Sequence, residues 1–259
     1  MPLGSGRTPL IAGNWKCNMR AETTRELARG LRQRLDGLDG VEVAICPPFV
    51  YLWLARQEVA GSSIRLGAQD VHWQDDTAAT GEVGPQMLAE MVEYVIVGHS
   101  ERRRDFGETD EIVNRKLKAV LAQGLKPIMC LGETLAERES DRTEEVLVRQ
   151  VRGGLKGVDL PEGFVIAYEP VWAIGTGAAA TGDTANETIA LIRREVAAMF
   201  GPRKAGSLHV LYGGSVDPNN IDEFMAQPEV DGALVGGASL KVDGFAAIVR
   251  AAARVKAKA

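Results

Sequence analysis

One pattern repeats eight times along this chain: a short, continuous apolar segment is followed by a stretch of helical periodicity. The apolar segments are LIAGNW from Leu10, VEVAIC from Val41, IRLGA from Ile64, YVIVG from Tyr94, PIMCLG from Pro127, FVIAYE from Phe164, LHVLY from Leu208 and GALVG from Gly232. Most are apolar throughout rather than at every second residue, as parallel strands covered on both faces must be. Helical periodicity covers 22–35, 50–60, 85–91, 111–123, 144–153, 185–200, 220–225 and 245–256. Thr109 or Asp110 offers a cap before the fourth helix and Gly124 a stop after it.

Eight β-then-α units fit an open doubly wound sheet or a closed (β/α)8 barrel. At 259 residues the closed barrel is favoured. No GxGxxG follows the first strand, which argues against a dinucleotide fold. With no composition shift or long linker, the expectation is one (β/α)8 catalytic domain over 1–259, eight parallel strands inside a ring of helices.

A barrel's active site lies at the C-terminal ends of its strands, so the residues placed there are the ones to examine. The sixth strand ends in AYEPVWAIGTG, from Ala167 to Gly177, which puts Glu169 at its tip. Pro170 fixes its own φ and pushes Glu169 toward extended geometry, holding the carboxylate stiffly. Val171, Trp172, Ala173 and Ile174 are too apolar for an ordinary exposed loop, and Gly175 and Gly177 follow. That combination reads as a lid.

The first strand ends in GNWKCN, where Asn14 and Lys16 are two apart and share a side if the segment is extended. Cys17 then faces the other way. The fourth ends in GHSERR, with His99 at the tip and Ser100 and Glu101 starting a helical turn. Each of these residues has an ordinary structural use: a surface lysine, a core histidine, a turn-forming asparagine. Four reactive side chains at one rim make a catalytic site the better reading.

The last two strands end in glycine pairs, YGGSV with Gly213 and Gly214, and LVGGASL with Gly236 and Gly237. Turn formation explains such pairs. In barrels, however, the loops after strands seven and eight commonly bind phosphate through backbone N–H groups. Ser215, Gly236 and Gly237 would then cradle a phosphate, with Gly175 of the lid completing the cage.

Other residues read as structural. Arg102, Arg103 and Arg104 form an ion-paired or solvated helix start, with Glu108 a partner, and His72 and His209 have no catalytic partners. Cys46 and Cys130 end apolar strands as small core residues.

Three cysteines in no metal-like spacing suit a reducing cytosol, and no metal or cofactor is expected. The formal net charge of −5 disfavours nucleic acid. No apolar run approaches the roughly 20 residues that span a bilayer, and the opening stretch carries no secretory pattern. The expectation is a cytoplasmic protein with no membrane partner.

The stretches GNWKCN, GAQD, TGE, GHSERR, FGE, CLGE, AYEPVWAIGTG, YGGSV and DGALVGGASL, in that order, resemble the triosephosphate isomerase family along nearly the whole chain. The resemblance implies a TIM barrel that interconverts dihydroxyacetone phosphate and D-glyceraldehyde 3-phosphate through an enediolate, in glycolysis and gluconeogenesis. It also implies residue roles: Glu169 as base, His99 as electrophile, Asn14 and Lys16 on the substrate, and Glu101 in support near Lys16. Phosphate falls to Gly175, Ser215, Gly236 and Gly237, and the loop holding Thr80 and Glu82 becomes the arm of a homodimer. Two places depart from the usual pattern, Ala178 to Ala180 after the lid and Ala78 with Ala79 before Thr80.

Two other functions are compatible with the fold. A Schiff-base phosphosugar aldolase would use Lys16 as nucleophile, although no lysine ends the sixth strand. A non-catalytic phosphosugar-binding protein would keep the cradle and lose the base, imidazole or ammonium, all of which are present.

Overall fold

The eight apolar segments become eight parallel strands that close on themselves in sequence order. They are β1 (Leu10–Asn14), β2 (Glu42–Cys46), β3 (Arg65–Ala68), β4 (Tyr94–Val97), β5 (Lys126–Leu131), β6 (Val165–Tyr168), β7 (His209–Tyr212) and β8 (Gly232–Val235). The barrel is closed by β1 pairing with β8, Leu10 opposite Gly232 and Gly13 opposite Val235. This is a computed structural model, and it describes residues 7–174 and 180–257.

Continuous apolarity follows from burial on both faces. Along β1, Leu10 and Ala12 join Cys46, Ile96, Ile128, Cys130, Val165 and Leu234 inside the barrel, while Ile11 packs outward against the helices. The barrel is a packed core, and chemistry is left to its rims.

Among the described residues the helices are α1 (Ala21–Leu35), α2 (Leu52–Val59), α3 (Pro85–Ala89), α4 (Ser100–Phe106), α5 (Asp110–Ala122), α6 (Leu135–Glu139), α7 (Thr143–Leu155), α8 (Gly182–Phe200), α9 (Pro202–Ser207), α10 (Ile221–Met225) and α11 (Val242–Lys256). The predicted spans are met to within about a turn. The stretch 50–60 divides into a 3₁₀ turn, Phe49–Tyr51, and α2. Helix α8 starts three residues earlier than its apolar pattern, because the Thr181 side chain accepts from Thr184 N and caps it. Thr109 caps α5 by accepting from Ile112 N, and Gly124 beyond its end has φ 71°. Helix α4 is the helical turn expected to start at Ser100 and Glu101, while α6 and α9 are additions, each too short to show a period in sequence.

Candidate active site

Glu169 follows β6 directly. Its N–H donates to Leu131 O at 2.7 Å, which prolongs the β5–β6 ladder by one residue and fixes the backbone of the acid. Glycines on both flanks make room: a Cβ on Gly132 would lie 1.7 Å from Glu169 O, and one on Gly213 would lie 2.9 Å from Glu169 Cγ. The carboxylate is almost wholly buried. Its Oε1 is 2.8 Å from His99 Nε2, and its Oε2 accepts from Ser100 N at 2.9 Å.

His99 caps α4. Gly98 turns the chain with φ 71° at the end of β4, and His99 Nδ1 accepts from Glu101 N at 3.2 Å. A nitrogen that accepts an N–H carries no proton, so the ring's proton sits on Nε2 and points at Glu169. Burial pulls this imidazole down from 6.5, and the Glu169 carboxylate pulls it up by more. The Glu101 N–H favours the neutral ring, so the upward pull lasts only while the carboxylate is in place. Burial likewise pushes Glu169 up, but His99, the Ser100 N–H and Lys16 together bring it below the ordinary carboxylate value.

Asn14 ends β1, and its Oδ1 accepts from Lys16 N at 3.1 Å. Lys16 is paired through Nζ with Glu101 Oε1 at 2.5 Å. The two-residue spacing does bring Asn14 and Lys16 to one cavity, but not by strand alternation. The strand stops at Asn14, and Lys16 is left-handed at φ 50°. This unfavourable backbone is held by Gln69, whose Nε2 donates to Lys16 O at 2.9 Å and Cys46 O at 2.8 Å.

A cavity of about 520 Å³ opens at this mouth of the barrel, with Asn14, Lys16, His99, Ser215, Gly236 and Gly237 in its wall. A Cβ on Gly237 would meet nothing within 4 Å, and one on Gly236 would touch Lys16 Cε at 3.6 Å. The 3₁₀ turn Gly237–Leu240 begins here, and its first N–H groups have no partner within the turn. Glu169 is not in the wall: both its oxygens are taken up by His99 and Ser100. Convergence at the rim is thus met by Asn14, Lys16 and His99, with Glu169 one hydrogen bond behind. Gly175, Gly177, Ala178 and Ala179 lie outside the described residues.

The flanks of that segment are anchored. Trp172 Nε1 donates to Glu133 Oε1 at 2.9 Å, and Ala180 N donates to the Tyr212 hydroxyl at 3.2 Å. Gln69, Glu133 and Tyr212 went unassigned as single residues, although GAQD, CLGE and YGGSV contain them.

The arginine run is ion-paired, as expected: Arg102 with Asp70 and Glu108, Arg103 with Asp110, Arg104 with Asp105. His72 stacks on Trp73, and His209 lies at the opposite mouth beside Thr8 O. A second cavity there, of about 380 Å³, includes Leu10, Glu42, Lys126 and His209 and none of the predicted site residues. Among the described residues no cluster of metal-ligating side chains forms.

A buried carboxylate bonded to an imidazole, with an ammonium and a glycine-lined cavity beside them, makes this a (β/α)8-barrel enzyme equipped for proton transfer. The triosephosphate isomerase family profile matches residues 9–252. The chain is 51% identical over 247 residues to the triosephosphate isomerase of Carboxydothermus hydrogenoformans, covering 94% of this chain and 98% of that protein. It is 53% identical over 246 residues to the enzyme of that name from Moorella thermoacetica, with 94% and 98% covered. For the one from Rhodopirellula baltica identity is 50% over 249 residues, with 95% and 98% covered. The chain belongs to the triosephosphate isomerase family and is an isomerase of the aldose–ketose, intramolecular oxidoreductase class.

Proposed function

We propose that this chain interconverts dihydroxyacetone phosphate and D-glyceraldehyde 3-phosphate, with Glu169 as the base that serves both directions. The observation carrying this reading is the Glu169–His99 hydrogen bond, 2.8 Å long, at the edge of a cavity that also holds Lys16. Rotation of the Glu169 side chain off His99 and Ser100 turns its carboxylate toward the substrate carbon. It removes the proton beside the carbonyl and returns it to the adjacent carbon. His99 Nε2–H donates to the developing oxyanion, Lys16 stabilises the same charge, and the hydroxyl proton passes from one enediolate oxygen to the other at His99, so that carbonyl and hydroxyl exchange places. Because the departing carboxylate takes its upward pull with it, the imidazole donates as a neutral group.

Phosphate sits against the N–H groups of Ser215, Gly236 and Gly237, where side chains are absent or small. Gly175 completes this cage on the family resemblance alone, and Asn14 binds substrate beside Lys16. A closed site excludes water and holds the phosphate, which keeps the enediolate from expelling it.

The working unit in this reading is a cytoplasmic homodimer of single catalytic domains, each 1–259. Exposed Phe49, Val50 and Met87 are apolar surface that a second subunit would cover, and the Thr80 arm is exposed at its tip. No described helix is long and apolar enough to cross a membrane.

A coupled isomerase assay on purified protein tests the reaction, and Glu169→Gln tests the base. Turnover should fall by at least the roughly 10²-fold to 10⁴-fold typical of a lost general base, with KM little changed. Turnover near the parental value would remove Glu169 from the mechanism.

A further inference from the structure

The backbone that carries Glu169 is held from the β7 side by Gly213 N, which donates to Tyr168 O at 2.7 Å, and from the other side by the end of β5. Glu169 N donates to Leu131 O at 2.7 Å and Val171 N to Glu133 O at 3.0 Å, so residues 131 and 133 direct their carbonyls toward the β6 side. Gly132 lies between them, and its own N–H and C=O point the other way, toward β4. But β4 has already ended. Its last pairing with β5 joins Val97 to Met129, and Gly98 then turns the chain away at φ 71°. Arg103 Nη2 takes Cys130 O at 3.3 Å. Two residues further on, at Gly132, a buried peptide faces a gap in the sheet.

Gln150, on the inner face of α7 and 4% exposed, fills that gap. Its Oε1 accepts from Gly132 N at 2.8 Å, and its Nε2 donates to Gly132 O at 3.1 Å. One carboxamide therefore supplies the acceptor and the donor that a neighbouring strand would have supplied. Gly132 in turn touches the acid directly, because a Cβ there would overlap Glu169 O.

We propose that Gln150 is a positioning residue for the proton transfer: its side chain replaces the missing strand, pins the Gly132 peptide, and so sets the backbone of Glu169. The inference rests on Glu169 being the base. It commits to an effect on turnover rather than on binding, since the phosphate cradle stands on the loops after β7 and β8 and shares no hydrogen bond with Gln150.

Gln150→Met keeps the volume and removes both hydrogen bonds. With the acid free to shift by a fraction of an ångström to one ångström, kcat per folded protein should drop roughly 10-fold to 100-fold, with KM held within about twofold. Val151→Ala, a buried truncation on the same helix, is the control for lost packing: it should lower the melting temperature and leave kcat unchanged.

Gln150→Glu separates geometry from stability. A neutral carboxylic acid can accept from Gly132 N and donate to Gly132 O, whereas a carboxylate can only accept. Burial keeps an introduced acid neutral well above its ordinary range. The ratio of variant to parental kcat should therefore stand near one at about pH 6 and decline by about pH 9 as the donor is lost. Folded Gln150→Met with parental kcat would overturn the proposal, as would a Gln150→Glu ratio that is flat with pH. If Gln150→Met does not fold, the pH profile of Gln150→Glu decides alone. Parental protein without isomerase turnover would instead end the functional reading itself.

Discussion

Gly132→Ala probes the same contact from the opposite side, by adding an atom rather than removing a bond. The new Cβ would fall 1.7 Å from Glu169 O and 2.6 Å from Glu169 C, against the 3.0 Å that real Cβ atoms essentially never undercut. Those are backbone atoms fixed by the Glu169 N to Leu131 O bond, so no side-chain rotation relieves the clash. The two chain segments must part by roughly 1.3 Å. Overfilling of this kind costs about 1 to 3 kcal/mol, which in a domain of this size lowers the melting temperature by about 2 to 10 °C. Misplacing a reacting group by about 1 Å costs on the order of 10²-fold in rate, so kcat should fall at least that far while KM holds. Gly213→Ala is the graded comparison. Its Cβ would meet Glu169 Cγ at 2.9 Å and Tyr168 O at 3.2 Å, so the shift demanded is a few tenths of an ångström instead of more than one. Its stability loss should be the smaller of the two. Purified variants would be compared by steady-state kinetics and calorimetry. A Gly132→Ala protein with parental kcat and parental melting temperature would refute the view that this contact sets the base.

Two further outcomes follow from the electrostatics and the cysteines. The Glu169 carboxyl should titrate below its ordinary value of 4.5 in ligand-free protein, followed by carbon NMR, because His99, the Ser100 N–H and Lys16 outweigh burial; a midpoint above 4.5 would contradict the geometry. A depressed carboxylate contributes stability above its unfolded pKa and loses it as pH falls through the folded one. His99, raised by the same contact, contributes below its unfolded value of 6.5 and loses it as pH rises through the folded one. The stability difference between parent and Glu169→Gln should therefore be fullest between about pH 4.5 and 6.5. A bulky thiol reagent should modify Cys17 first, because it is exposed, while burial raises Cys46 to about 12 and pushes Cys130 well up. If Cys17 lies in the proposed dimer contact, modification should dissociate and inactivate the enzyme and should speed up on dilution. Mass spectrometry with light scattering checks this, and a dimeric, active protein fully modified at Cys17 would refute it.

What could be read in the sequence follows what local pattern encodes. Strands buried on both faces must be apolar at consecutive positions, so all eight were visible, and the acid, imidazole and ammonium at their ends were visible with them. The route by which Lys16 reaches the cavity was not, since alternation applies only where the chain stays extended and β1 stops at Asn14. Whether backbone goes left-handed at a lysine depends on what grips it from elsewhere, here Gln69, which is 53 residues away. The resting orientation of Glu169 was hidden for the same reason: it depends on His99 and Ser100, about 70 residues distant in sequence. Gln150 is the sharpest case. On α7 the period of Val146, Leu147, Val151 and Leu155 puts it on the inward stripe, but nothing nearby in sequence shows what its carboxamide bonds to. Its position makes sense only once β4 is seen to make its last pairing at Met129, three residues before the Gly132 peptide that still needs a partner, a mismatch in strand length that is a property of the closed barrel. Strand ends at an active-site rim are where backbone groups run out of neighbours, so polar side chains from the outer helices are drawn in there. The same rim that exposes reactive groups to substrate therefore makes their placement depend on residues outside every catalytic motif.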